Sequence, residues 1–200
     1  MMPGIVAGGV RSSSGTVYAT WNPADKATEI TLSNGNRTAE VDGLGIRTAR
    51  ATIAMSGKQY FEASFAPNGD GVGIGLARSA ADLFVYLGSD SAGYGHYLPS
   101  NDVYRGGSVA YNGATNSTSP VTVGIAFDAA TLEMWVIVEG GSGFEGGGDP
   151  AAGTSPTLTL AAGTYYPACT PYTGASAVTI NAGQAAFSLW TPSGGFTGVS

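Results

Sequence analysis

The stretch that most constrains the fold is Val121-Thr122-Val123-Gly124-Ile125-Ala126-Phe127, followed after Asp128-Ala129-Ala130-Thr131 by the segment Leu132 to Val138. In the first segment residues 121, 123, 125 and 127 fall on one face of an extended chain, and in the second Leu132, Met134, Val136 and Val138 do the same. Two period-two segments joined by a short turn read as antiparallel neighbours. Similar apolar segments recur along the chain at Ala51 to Met55, Tyr60 to Phe65, Val72 to Ala77, Leu158 to Leu160, Tyr165 to Cys169 and Val178 to Ile180. No run of ten or more residues carries a capped helical stripe, and Ser79 to Leu87 has room for a single turn only. Composition agrees: 43% of the 200 residues are hydrophobic, only 11% are charged, and 32 are glycine, so short apolar strands are joined by small polar residues. Many short strands at this spacing imply a sandwich or a barrel. A chain of this length buries roughly 70% of its extended surface, which supports one domain, and no linker divides it.

Residues 21 to 36 add an anchor and a turn. Pro23 cannot donate to a sheet ladder, so Trp21 reads as the end of an edge segment that lays its ring on the core. Ile30 and Leu32 then alternate inward ahead of Asn34-Gly35, a strong short hairpin signal.

Several functional classes are disfavoured by simple counts. A formal charge of −6 with eight basic residues gives no clustered Lys/Arg surface for a phosphate backbone, so nucleic acid is not an expected partner. The single cysteine, Cys169, excludes an intrachain disulfide framework, and Pro167-Ala168-Cys169 suits a small buried side chain. The first residues lack the basic head and long apolar run of a signal peptide, and no segment reaches the ~18 apolar residues of a membrane span. The sequons at Asn36 and Asn116 therefore lack a secretory context.

The chemistry-bearing residues are sparse. A glycoside hydrolase needs two carboxylates about 5 to 10 Å apart. Glu62, Asp128, Glu133 and Glu139 form no i, i+2 or i+4 pair, and Glu133 and Glu139, on one strand face, would stand roughly 20 Å apart. His96 is the only histidine and would have to serve as base in any triad; in Gly93-Tyr94-Gly95-His96-Tyr97 it reads as a packed or edge imidazole. No cluster of His, Cys, Asp and Glu suits zinc, and no cofactor is expected. Gly71-x-Gly73-x-Gly75 lies inside an alternating strand with no helix after it, so rings or a neighbouring sheet explain it better than a dinucleotide does. Asn68-Gly69-Asp70-Gly71 reads as a hairpin turn rather than a calcium loop.

Binding remains. Five of the ten tyrosines fall between residues 84 and 112, among Ser, Asn, Asp and Gly, a vocabulary suited to adaptable recognition. Tyr86 and Tyr111 are the candidates for exposure, and Asp90, Asp102, Arg105 and Asn112 are placed to hydrogen-bond a sugar or a peptide.

Taken in order, these segments resemble the SPRY family, a concanavalin-like antiparallel β-sandwich of the jelly-roll type. The resemblance covers residues 20 to 198. It rests on the opening Trp21 to Asn36, on Ser56-Gly57-Lys58-Gln59-Tyr60-Phe61-Glu62, and on Val72-Gly73-Ile74-Gly75-Leu76-Ala77. Gly93 to Tyr97 with Val103-Tyr104, Val123 to Asp128, Tyr165-Tyr166-Pro167-Ala168, and Phe187 with Pro192-Ser193-Gly194-Gly195-Phe196 complete it. The chain departs from the family pattern in the long Gly-rich insertion from Glu139 to Pro150, in the extra Gly195 and in Asn181-Ala182-Gly183. The insertion reads as a flexible surface loop. The opening hairpin, this loop and the Pro-Ser-Gly-Gly-Phe ending are similar to phage- and prophage-encoded members. The resemblance implies a flexible arm over residues 1 to 17 and a sandwich domain over 18 to 200. It further implies a non-enzymatic virion protein of tail fibre, baseplate or head decoration, made in the host cytoplasm. Such a protein would be a homo-oligomer docked to other virion proteins through its arm, recognising a host surface glycan or protein. An adaptor gripping a short peptide and a glycan-active enzyme using Glu133 or Asp128 are the alternative readings.

Overall fold

The computed structural model describes residues 15–41, 45–65, 72–98, 100–113, 121–172 and 176–200. The expected turn at residues 68–71, the second sequon and most of the arm lie outside them. The strands are β1 (Trp21–Lys26), β2 (Ile30–Ser33), β3 (Thr38–Val41), β4 (Ala49–Ala51), β5 (Lys58–Phe65), β6 (Gly73–Ala77), β7 (Gly93–Tyr97) and β8 (Asp102–Arg105). They continue with β9 (Ser108–Tyr111), β10 (Val121–Asp128), β11 (Glu133–Val138), β12 (Leu158–Thr159), β13 (Tyr166–Thr170), β14 (Val178–Asn181) and β15 (Thr197–Gly198). The sole helical element among the described residues is a 3-10 turn at Glu145–Gly147.

Two sheets face each other. The first runs β1-β4-β13-β6-β7-β8-β9, and the second runs β12-β11-β10-β5-β14-β3-β2. Every pairing along these paths is antiparallel. β15 joins parallel to β5 at Gln59 and Tyr60, the end of β5 that β14 leaves open. The architecture is the expected all-β sandwich.

The alternation along β10 and β11 sets the register of the core. Val123 pairs with Val138, Ile125 with Val136 and Phe127 with Met134, and all of these side chains enter one cluster between the sheets with Trp21, Phe61, Ile74, Leu76, Tyr94 and Tyr165. The hairpin turn is held by the Leu132 N–H donating to Asp128 O at 2.8 Å and the Ala130 N–H donating to Asp128 Oδ1 at 2.9 Å. Leu132 is the last turn residue, at φ 62°, rather than the first of the strand.

Trp21 opens an edge strand instead of ending one. It is fully buried, and its Nε1 donates to Val178 O at 3.0 Å, which ties the two sheets together. Between Trp21↔Ala51 and Lys26↔Ala49 the register shifts, so Pro23 sits in an edge irregularity where no ladder donor is needed. That irregularity carries Asp25 to Arg50, whose Nη2 and Nε donate to its two carboxylate oxygens at 2.6 and 2.8 Å. Arg50 Nη1 donates to Arg78 O and Ala81 O, both at 3.0 Å, so one buried guanidinium joins β1, β4 and the chain after β6. At the next hairpin Asn34 and Gly35 both take positive φ, 52° and 64°, the backbone that an Asn-Gly pair supplies most cheaply.

The outer face of the second sheet is covered as well. Tyr60, Ala126, Trp135 and Ile137 point away from the main core and pack with Phe144, Phe196, Phe187, Leu189 and Trp190 from the chain that follows β11 and β14. Tyr60 meets Phe187 and Trp190 edge-on at 4.8 and 5.1 Å between ring centroids. Glu62 fixes this cover: its buried carboxylate accepts from Tyr60 Oη at 2.9 Å, Ser188 N–H at 2.8 and 3.0 Å, Ser188 Oγ at 2.9 Å and Leu189 N–H at 2.7 Å. The aromatic-aromatic-Glu pattern of the sequence is thus a clasp for the C-terminal segment.

Candidate functional site

The first sheet carries the candidate residues, and the glycines of β6 and β7 explain why tyrosines gather there. Ile74 and Leu76 face the main core, so Gly73 and Gly75 face outward. A Cβ on Gly73 would stand 2.4 Å from Tyr97 Cζ, so the hydroxyl end of the Tyr97 ring occupies space that only glycine leaves open. The Tyr97 ring at Gly73 and the backbone of the neighbouring strand at Gly75, where a Cβ would run into the Tyr94 carbonyl, account for these two glycines.

On that floor stands a trio of rings. Tyr97 meets Tyr86 and Tyr104 edge-on at 5.9 and 5.6 Å, and Tyr86 meets Tyr104 at 6.2 Å. Tyr97 is buried, whereas Tyr86 and Tyr104 are half-exposed. Cross-strand pairing puts Asp102 beside Tyr97 and Val109 beside Tyr104 on this outer face, and Val109 is 47% exposed. The result is an aromatic patch with an apolar edge and one carboxylate, backed by a sheet. Sequence reasoning found Tyr86 and Asp102 but missed Tyr104 and Val109; the hairpin register sets Val109 opposite Tyr104, and the one-residue shift beyond it, which brings Tyr111 opposite Val103, has no sequence signal.

The other candidates lie elsewhere. Asp90 shapes the turn before β7: its Oδ1 accepts from the Ala92 and Gly93 N–H groups at 2.8 and 3.1 Å and its Oδ2 from the Asp82 N–H at 2.8 Å. Arg105 is exposed and lies 5.3 Å over the ring of Tyr94, whose hydroxyl accepts from the Ala161 N–H. Asn112 is exposed just beyond β9. Tyr111, opposite Val103, packs half-buried against the main core, with its hydroxyl directed at the loop after β11. The six residues therefore divide between the two faces of one sheet end and do not converge on a single pocket.

That Gly-rich loop is not the loose connection its composition suggests. Phe144 bridges to Ile137, Asp149 bridges to Thr154, and Trp135 Nε1 donates to Thr154 O at 2.9 Å. Phe144 and Glu145 are buried, and Phe144 packs edge-on against Trp190 at 5.3 Å. Residues 142–148 enclose a half-open pocket of about 440 Å³ that sequence reasoning did not find.

The acids show one juxtaposition that counting along single strands missed. Asp128 and Glu133 are direct partners across β10 and β11. Both are engaged locally: Asp128 holds the turn and lies 3.9 Å from Lys58 Nζ, and Glu133 accepts from Thr131 Oγ1 at 2.8 Å. No group of three or more His, Cys, Asp or Glu side chains is placed to hold a metal ion among the described residues. His96 is buried on β7, with neither ring nitrogen hydrogen-bonded among the described residues, and burial lowers its pKa to about 4. Burial likewise pushes the Cys169 thiol well above its usual range, so it is a packed small side chain and a poor nucleophile.

No protein-family model matches the chain, and no curated protein matches it in sequence. Solved structures do match it. The SPRY domain of human HERC1 superposes with a TM-score of 0.66 at 14% identity, covering 83% of this chain and 99% of that one. The PSpry domain of TRIM65 gives 0.63 at 12% identity, covering 82% and 92%. Stonustoxin gives 0.61 at 15% identity, covering 82% of this chain and 27% of that one. Identities this low speak to the fold alone, and what the site does must be argued from the site. The chain has the SPRY fold, an antiparallel β-sandwich of two facing sheets.

Proposed function

We propose that the protein is a non-enzymatic recognition module carried in a phage particle, as a tail-fibre, baseplate or head-decoration component. The observation that carries the recognition part is the outward patch of Tyr86, Tyr104 and Val109, held on the buried ring of Tyr97. Tyrosine presents apolar area and a hydroxyl tip at small entropic cost, and rings locked edge-to-face lose little further freedom on binding. The patch would engage a host surface glycan or protein. The virion part rests on the phage-like opening hairpin, Gly-rich loop and Pro-Ser-Gly-Gly-Phe ending of the sequence. In this reading residues 1–17 dock onto a neighbouring virion subunit, copies of the chain associate, and neither nucleic acid nor a membrane is a partner.

Particles carrying Tyr104→Ala together with Tyr86→Ala should adsorb to host cells at least tenfold more slowly while containing the chain at normal copy number. Unchanged adsorption would remove the patch from recognition. Particles lacking residues 1 to 15 should fail to incorporate the chain; normal incorporation would overturn the role of the arm. A chain found in host cells and absent from purified particles would favour the adaptor reading.

A further inference from the structure

We propose that the outward tyrosine patch binds a protonated amino sugar of a host surface glycan, with Asp102 as the partner of its ammonium group. This rests on the reading of the protein as a recognition module and names the ligand class of that same patch. Strand register puts the groups together. Tyr97 and Asp102 are direct partners across β7 and β8, so their Cβ atoms stand about 5 Å apart on the outer face of the sheet. Tyr104 follows Asp102 by two residues and shares that face, and both are partly exposed. Tyr86, also partly exposed, meets the rings of Tyr97 and Tyr104 edge-on at 5.9 and 6.2 Å. A ligand resting on the Tyr104 ring therefore has a carboxylate beside it.

That carboxylate is free to take a ligand. The Asp102 N–H donates to Ser100 Oγ at 3.4 Å, but the side chain makes no hydrogen bond or ion pair with any described residue. The arginines around the patch are engaged elsewhere: Arg47, over the ring of Phe84, pairs with Glu29 at 2.7 Å, and Arg105 lies over the ring of Tyr94, a member of the main core. The other residues that register places on this face, Gly73, Gly75, Gly95 and Val109, are uncharged. An anionic ligand would meet Asp102 without compensation, whereas a cation gains both the carboxylate and the negative faces of the rings. The net charge of −6 favours a cation at longer range as well. A lysine side chain would bring the charge on a flexible stem with no flat face for Tyr86 and Tyr104. A hexosamine carries an apolar C–H face and an ammonium on one rigid ring, which matches an aromatic ring and a carboxylate set side by side.

The test is saturation-transfer NMR and calorimetry on the full chain at about pH 6, where carboxylates are ionised and amines protonated, with glucosamine trimer, its N-acetylated counterpart chitotriose and trilysine as probes. Glucosamine trimer should bind about tenfold more tightly than chitotriose, and the preference should shrink as salt is raised. Asp102→Asn keeps the size of a side chain that holds no other part of the fold, and it should erase the preference. Tyr104→Ala should weaken both sugars about tenfold. The proposal is overturned if glucosamine trimer does not bind, if chitotriose binds as tightly, if trilysine binds more tightly than glucosamine trimer, or if Asp102→Asn keeps the preference. Slower adsorption of the Tyr86/Tyr104 particles with no binding of glucosamine trimer would leave the patch in recognition and remove the amino sugar as its ligand.

Discussion

Acidification from pH 7 to pH 5 should weaken the fold by about 2 kcal/mol through His96 alone. The imidazole sits among apolar neighbours between Ile74 and Val103 in the first sheet, with no partner for either nitrogen among the described residues. Burial lowers its pKa from 6.5 to about 4, so the folded chain resists a proton that the unfolded chain accepts readily. Between those two values the unfolded state binds more protons, and stability therefore falls as the pH drops through 6.5 and levels off below 4. The full span of the shift corresponds to about 3 kcal/mol, of which about 2 lies between pH 7 and pH 5. His96→Leu, close in volume, removes both the titration and two unpartnered polar atoms, so it should gain about 1 kcal/mol at pH 7 and more at pH 5. Urea unfolding of both proteins at the two pH values measures this, and the difference between them cancels the contributions of carboxylates common to both. Equal pH dependence in the wild type and the variant would refute the reasoning, because His96 would then be partnered or solvated in solution.

Three substitutions test the clasps of the fold. Glu62→Ala leaves the Ser188 and Leu189 N–H groups without their acceptor and should cost about 3 to 5 kcal/mol in chemical denaturation, with early exposure of Trp190 seen by fluorescence. Asp25→Ala leaves the buried Arg50 guanidinium with carbonyl partners only; because Asp25 is partly exposed, the expected loss is about 2 kcal/mol in the same assay. Gly73→Ala puts a methyl against the Tyr97 ring and should cost about 1 to 3 kcal/mol while changing the near-ultraviolet circular dichroism of the tyrosine trio. An unaltered spectrum would mean that the ring does not rest on Gly73.

How far the fold could be read from the sequence depended on whether a strand faces one core. β10 and β11 bury one clean face and were legible residue by residue, as was the burial of Trp21. β4 was expected at residues 51–55 but runs Ala49–Ala51, because the chain turns away at Thr52, whose N–H donates to Thr20 O, while Met55 stays buried outside any strand. β9 carried no signal, since Ser108 to Ala110 are exposed and have no apolar face to repeat. The site was less legible still. Tyr86 and Asp102 were identifiable by type, but their neighbours Tyr104 and Val109 arrive through cross-strand register, and the pocket at residues 142–148 depends on the pinning of a glycine loop by Trp135 and Ile137. The meeting of Asp128 with Glu133 across a hairpin was invisible to any count along one strand.

Quantitative mass spectrometry of purified phage particles decides whether the chain is a virion component. Peptides of this chain should be present in the particles at a fixed copy number, in a multiple that matches a symmetric position. Their confinement to the host-cell fraction, with none in the particles, would contradict it.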